Sequence, residues 1–304
     1  MVEIAVVPVA GLGTRLLPAT KSQPKEMLPV GRKPVVQYVF EELTAAGMKQ
    51  ILFVTGQGKA SIENHFDANE ELVQVLRETG KEELLADLAF DRAPVQFFYT
   101  RQRKALGLGH AVLTARSFVG NRPFVVALGD SIIGLDSKSD VVSRMSRVFE
   151  EHEAAAVIAV EEVAAADAHR YGIVQPANGT GEAFELADLV EKPRQGSAPS
   201  NLAIAARYVL APSIFEALEH TRAGVGGEIQ LTDAIRRLMH DGGRVFAMRL
   251  GGAERRYDIG NLESYFRAFA EFALADPQYG PALRRFLEQL LVPSAVEGLD
   301  DSHS

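Results

Sequence analysis

An α/β fold is what this 304-residue sequence predicts: a doubly wound, mainly parallel central sheet, helices on both faces, and a small antiparallel extension. Three observations carry that expectation. Short apolar runs rich in β-branched and aromatic residues alternate with longer amphipathic stretches. The short runs are apolar at every position, which marks strands covered on both faces. From about residue 164 the rhythm changes to strand-like runs with little helix between them.

The first strand is residues 4–9, followed by a long loop. Pro34 stands at a first helical position, residues 35–46 are helical, and Gly47 stops them. A strand at 51–55 leads to a short helix at 61–66 and a longer one at 69–88, charged on one side. Strands at 95–99, 124–128 and 155–160 follow, with a helix starting near His110 and another at 140–151. Strands at 171–175, 186–191 and 202–210 form the antiparallel extension, expected to fold over the site, and helices at 262–274 and 281–291 close the chain. Residues 1–292 are expected to form a single domain and 293–304 a disordered acidic tail. In such a Rossmann-like sheet, ligands bind at the carboxyl ends of the strands, so the loops there are where chemistry is sought.

Bulk composition narrows the function. A 47% hydrophobic content suits a globular chain, and the net charge of −8 argues against a general nucleic-acid or anionic-membrane surface. There is no cysteine, which excludes disulfides, thiolate nucleophiles and thiolate metal sites. No apolar run approaches the ~18–20 residues of a membrane span. Met1-Val2-Glu3 lacks the character of a signal peptide, so the expected location is cytoplasmic.

Four loops carry the chemistry. The first, "VAGLGTRLLPATKSQPKEMLP" at 9–29, follows the first strand. Gly11 and Gly13 permit backbone N–H groups to turn toward an anion, and Arg15, Lys21 and Lys25 add charge. Between Gly11 and Lys33 stand five basic residues and one acid, in a chain that is acidic overall. That contrast favours a polyphosphate ligand over a loop of solvated lysines, and the loop far exceeds the usual ~2–6 residues. Leu16 fills the third glycine position of a dinucleotide fingerprint, and the G-K-[ST] of a Walker A loop is absent.

The second loop, "TRQRKALGLGHAV", offers Gln102, whose amide has both a donor and an acceptor for a base edge, and Gly107 and Gly109 for close backbone approach. A glycine-rich helix start explains it as well when taken alone. The third, "FVVALGDSII", delivers Asp130 at a strand end, where a carboxylate can hold Mg²⁺. Gly-Asp-Ser also evokes hydrolases with a Ser nucleophile and a C-terminal Asp-x-x-His, a spacing spelled by Asp300 and His303. Ser131 is mid-chain and His303 sits in the tail, where no packing holds a triad, so that reading is set aside. The fourth, "LVEKP", pairs Glu191 for sugar hydroxyls with Lys192 for a phosphate, although an exposed ion pair is the bland alternative. Asp258 in "RRYDIGN" is a candidate second carboxylate for the metal.

Taken together, these residues resemble the bacterial UTP–glucose-1-phosphate uridylyltransferases (UDP-glucose pyrophosphorylases), within the wider sugar nucleotidyltransferases. The resemblance runs from about residue 4 to 290 and rests on "PVAGLGTRLLPATKSQPKEMLP", "SIENHFD", "GLGHAV", "VEKP", "APSNLAIAARYVL" and "GEIQLTDAI" in order. It implies Mg²⁺-dependent formation of UDP-glucose and pyrophosphate from UTP and glucose 1-phosphate, and a homo-oligomer, dimer or tetramer. It further implies uracil contacts from Ala10, Gly11, Gln102 and Gly107, and phosphate contacts from Thr14, Arg15 and Lys25 beside Gly13. Asp130 and Asp258 would hold the metal; Gly172, Glu191 and Lys192 would hold the sugar phosphate. Arg15, Lys25 and Lys192 are then the catalytic charges for in-line attack at the α-phosphorus. Two departures stand out: Ser131 where some relatives carry a second acid, and Gly226-Gly227-Glu228-Ile229-Gln230 where the family pattern has Gly-Asp-Glu-Ile-Gln. A sister enzyme using dTTP or another hexose 1-phosphate, and a non-catalytic regulator binding UDP-sugar, are the competing readings.

Overall fold

The computed structural model describes residues 1–224 and 227–291. Among them, nine strands form one sheet: β1 (Ile4–Pro8), β2 (Gln50–Thr55), β3 (Gln96–Arg101), β4 (Phe124–Ala127), β5 (Ala156–Glu162), β6 (Gly172–Pro176), β7 (Ala183–Glu191), β8 (Leu202–Leu210) and β9 (Val245–Arg249). Their order across the sheet is β3-β2-β1-β4-β8-β5-β9-β7-β6. Strands β3, β2, β1 and β4 are parallel, as is the pair β5 and β9.

The antiparallel share is larger than the sequence suggests. Strand β8 does not fold over the site but inserts into the sheet centre, antiparallel to both β4 and β5. It is buried at all nine positions, so it needs partners on both edges and cover on both faces. Strands β7 and β6 continue the sheet in antiparallel fashion, and β6 pairs back onto β8, Ile173 opposite Ala203, so this end of the sheet curls closed.

Burial on both sides explains the continuous apolar runs. In β1, Ile4 and Val6 face one core layer while Ala5 and Val7 face the other. One layer packs against helices Leu108–Thr114, Ile214–Glu219 and Leu231–His240; the other packs against Val35–Ala45, Ala60–Phe66 and Val141–Glu151. The expected helix over 69–88 is two structures. An α-helix spans Glu70–Glu78, with the Asn69 side chain accepting from the Leu72 amide at 3.0 Å. Gly80, at φ 69°, ends it, and 3-10 turns occupy Glu82–Arg92. A left-handed glycine is a stop signal that the charge pattern on either side obscures.

Two short ribbons lie outside the sheet: Pro29–Val30 with Lys33–Pro34, and Ser131–Ile133 with Arg256–Asp258. No described helix is long and apolar enough to cross a membrane. The acidic tail expected at 293–304, with Asp300 and His303, lies outside the described residues.

Candidate functional site

The loop after β1 is built of three single turns of 3-10 helix: Thr14–Leu16, Ala19–Lys21 and Lys25–Met27. Leu16 is fully buried and anchors the first of them. Gly13 has φ 67°, and its carbonyl oxygen accepts from the Leu16 amide at 3.0 Å and from Thr20 Oγ1 at 2.7 Å. Ala10 lies against Gly56, where an added Cβ would stand 3.2 Å from the Ala10 oxygen. Gly11 lies against Lys25; a Cβ there would meet Lys25 Cε and Nζ at 3.5 Å. Thr14 and Arg15 are exposed, and Arg15 forms no ion pair among the described residues.

Lys25 meets Asp130 at the carboxyl end of β4, ammonium to carboxylate. Asp258 arrives from the ribbon: it stands opposite Ser131, and the Ile259 amide donates to the Asp130 carbonyl oxygen at 2.9 Å. Gly260 leaves the room its carboxylate occupies, since a Cβ at that position would sit 2.7 Å from Asp258 Oδ2. Burial, then the Asp130 charge, holds the Asp258 carboxyl above the usual carboxylate range. Burial opposes ionisation of Asp130, but Lys25 outweighs it and lowers the pKa. Burial likewise disfavours charge on Lys25, and Asp130 followed by Glu26 outweighs it, raising the pKa. Two neighbouring carboxylates with oxygen donors only, under mutual repulsion, suit a hard divalent cation that takes its other ligands from water and phosphate. No cluster of three or more metal-ligating side chains exists among the described residues, so the protein itself would supply few ligands.

Gln102 is buried just past β3. Its Nε2 donates to the Gly107 carbonyl oxygen at 3.1 Å and lies 3.0 Å from His110 Nδ1. These contacts fix the amide so that Oε1 is left to accept. Gly107, at φ 93°, packs on the 228–229 segment, where a Cβ would come within 2.8 Å of the Ile229 oxygen.

At the antiparallel end of the sheet Gly172 and Glu191 face each other across β6 and β7. A Cβ on Gly172 would stand 3.0 Å from Glu191 Oε2 and 2.9 Å from Ile204 Cδ1. Lys192 has φ 42°, its amide donates to the Tyr171 carbonyl oxygen at 3.1 Å, and its Nζ lies 3.6 Å from Glu191 Oε1.

Several contributors escape sequence reasoning. Arg256, two residues before Asp258, pairs with Glu161 at 2.5 Å and lies 5.0 Å over the Tyr171 ring, joining the ribbon that bears Asp258 to the start of β6. Thr232 Oγ1 donates to Glu191 Oε2 at 2.8 Å; its one signal is its place within "GEIQLTDAI". A buried pair, Lys59 Nζ to Glu26 Oε2 at 2.7 Å, pins the loop beside Lys25. These two lie far apart in the chain, so no local pattern shows the pairing. Ser131 is 1% exposed and lies in the ribbon opposite Asp258. Of the departure at Gly226, only residues 227–230 are described.

A nucleotidyl transferase family model matches residues 4–274. The UTP–glucose-1-phosphate uridylyltransferase of Staphylococcus epidermidis is 46% identical over 289 residues, covering 95% of this chain and 98% of that protein. The structure of a UTP-bound UGPase from Acinetobacter baumannii superposes with a TM-score of 0.86 at 40% identity, over 95% of this chain and 100% of the other. A UDP-glucose pyrophosphorylase complexed with UDP-glucose gives a TM-score of 0.79 at 37% identity, over 90% and 98%.

Proposed function

Because the chain belongs to the nucleotidyl transferase family, we propose that it converts UTP and glucose 1-phosphate to UDP-glucose and pyrophosphate. The observation that carries the reading is the meeting of Lys25, Asp130 and Asp258 between the loop after β1 and the strand end of β4. The names of relatives that match nearly the whole chain support the choice of nucleotide and sugar.

Asp130 and Asp258 would hold Mg²⁺, which when bound neutralises charge on the phosphoryl oxygens. Arg15 and Lys25 bind the phosphates of UTP, with Thr14 and the Gly11 and Gly13 backbone lining the turn. Ala10, Gly11, Gly107 and the Gln102 amide receive the uracil, Oε1 accepting from a ring N–H. Glu191 accepts hydrogen bonds from glucose hydroxyls beside Gly172, and Lys192 orients the sugar phosphate as a point charge. The attacking phosphate oxygen is already ionised, so no strong general base is required. Rate comes from in-line alignment and from the positive charges of Arg15, Lys25 and Lys192 around the reacting phosphates.

A homo-oligomer is part of the proposal. Helices Leu262–Ala275 and Gly280–Leu291 expose Phe266, Phe269, Phe286, Leu290 and Leu291, an apolar set of the kind that a second copy covers. A cytoplasmic location belongs to it too, since nucleoside triphosphates and sugar phosphates are cytoplasmic metabolites. The test is pyrophosphate release with UTP, dTTP, ATP and GTP, each paired with glucose 1-phosphate and with other hexose 1-phosphates, in the presence of Mg²⁺. Fastest release is expected for UTP with glucose 1-phosphate. Preference for dTTP or another sugar would move the assignment to a sister enzyme, and no release with any pair would remove catalysis.

A further inference from the structure

The ion pair between Glu42 and Arg207 lies behind Asp130 and touches none of the proposed ligands. The side chains are 1% and 0% exposed. The guanidinium grips the carboxylate with two parallel bonds, Nε to Oε1 at 3.0 Å and Nη2 to Oε2 at 2.6 Å. Nη2 also donates to the Ser131 carbonyl oxygen at 2.9 Å, and Nη1 donates to the Ala206 carbonyl oxygen at 3.1 Å.

Strand β8 is deformed at this place. Its register against β5 slips between Ile204 and Tyr208, and Ala206 takes φ 61°, a left-handed conformation unfavourable for a residue with a Cβ. The bulge presents the Ala206 carbonyl oxygen to the Leu128 amide at 3.1 Å. The turn bearing Asp130 is therefore gripped on one side by β8, through Leu128 and Ser131. On the other side the Ile259 amide holds the Asp130 carbonyl oxygen. A buried ion pair adds little net stability over an apolar pair of the same volume, but an apolar pair would leave the buried Ser131 carbonyl without this donor.

We propose that Arg207, its fork fixed by Glu42, is a positioning residue that sets the direction of the Asp130 carboxylate toward the metal. The proposal rests on the reading of Asp130 as a metal ligand. Partners hydrogen-bonded to a ligand change metal affinity by ~10–100-fold when removed, and Arg207, acting through the Ser131 backbone beside Asp130, belongs at the low end of that range.

The test compares the full chain with Arg207→Lys and with the double variant Arg207→Met, Glu42→Leu, which leaves no unpaired buried charge. Mn²⁺ binding to the enzyme–UDP-glucose complex is read from the electron paramagnetic resonance of free Mn²⁺. Circular dichroism checks folding, and steady-state kinetics give the KM for glucose 1-phosphate. Both variants are expected to bind Mn²⁺ about tenfold more weakly or worse, with the glucose 1-phosphate KM within about twofold of wild type. A folded variant that binds Mn²⁺ as wild type does overturns the positioning role while leaving the metal reading intact. Failure of both variants to fold overturns it too, because the pair would then be a stability element. Wild-type enzyme that turns over but binds no Mn²⁺ overturns the metal reading and this proposal together.

Discussion

Lys25 and Asp130 meet with side chains 15% and 19% exposed, whereas Lys192 stands 62% exposed beside a Glu191 that is 22% exposed. Both are a lysine next to a carboxylate at a strand end, yet the surroundings differ. The first pair is enclosed by the loop after β1, the buried Lys59–Glu26 pair and the ribbon bearing Asp258. The second sits on the antiparallel β6–β7 pair, steadied by Thr232 from one helix and by the close approach of Gly172. Enclosure strengthens charge where phosphoryl oxygens must be stabilised, because fixed dipoles and ions act most strongly where water is excluded. The exposure of Lys192 fits a proposed ligand that must enter and leave at each turnover.

That contrast breaks most visibly at Asp130. Asp130→Asn should lower kcat by about 10³-fold, since charge stabilisation worth several kcal/mol is lost at ~1.4 kcal/mol per decade. A loss below tenfold would put the metal elsewhere. Lys192→Ala should cost about 10²-fold in kcat/KM for glucose 1-phosphate, the scale of one charged hydrogen bond, with the UTP KM little changed. Its exposed position predicts an unchanged thermal midpoint, and a near-wild-type rate would remove Lys192 from the mechanism.

Thr232→Ala sharpens the comparison on the side proposed to hold the sugar phosphate. Removing one neutral hydrogen bond to Glu191 should raise the glucose 1-phosphate KM about fivefold and leave kcat near wild type. An equal fall in kcat would mean that Glu191 acts in the transition state and not only in binding.

The smallest effect concerns stability behind the ribbon. Glu254 accepts from the Gly251 amide at 2.6 Å and from Ser139 Oγ at 2.7 Å, and pairs with Arg144. Burial opposes its ionisation, but these partners together hold its carboxyl below the usual range. A depressed folded-state pKa contributes stability above the unfolded value, lost as pH falls through the folded value. Glu254→Gln should therefore lower stability by about 1–3 kcal/mol near pH 7 and by less once the pH falls below the folded-state pKa. Urea melts at several pH values check this, and an equal loss at every pH would assign the effect to packing.

How much was legible follows from where each signal lies. The parallel half could be read because the runs Ile4 to Val7 and Phe124 to Ala127 are apolar at successive positions. Helix Val35–Ala45 could be read from Pro34 and Gly47 at its ends, although Pro34 is extended and caps the helix instead of opening it. The insertion of β8 could not be read, because an apolar strand suits any central slot and register carries no address. Arg207, the one charge inside "LAIAARYVL", signals a buried partner without naming Glu42. Asp130 and Lys25 were both legible as candidates. That the two touch was not, nor was Arg256 as the link between the ribbon and the β6–β7 pair.

By itself the sequence determined the chemistry on offer: glycines and cations after the first strand, acids at two turns, an acid–base pair at a third, and no thiol. Those are properties of residue type and local order, fixed along the chain. Only the tertiary structure decided which of them share a volume. Asp258 reaches Asp130 because a three-residue ribbon pairs segments more than a hundred residues apart, and Glu191 is steadied by a helix the local pattern did not assign to it. Such contacts depend on strand order and on burial over many residues at once, and no short stretch of sequence encodes either.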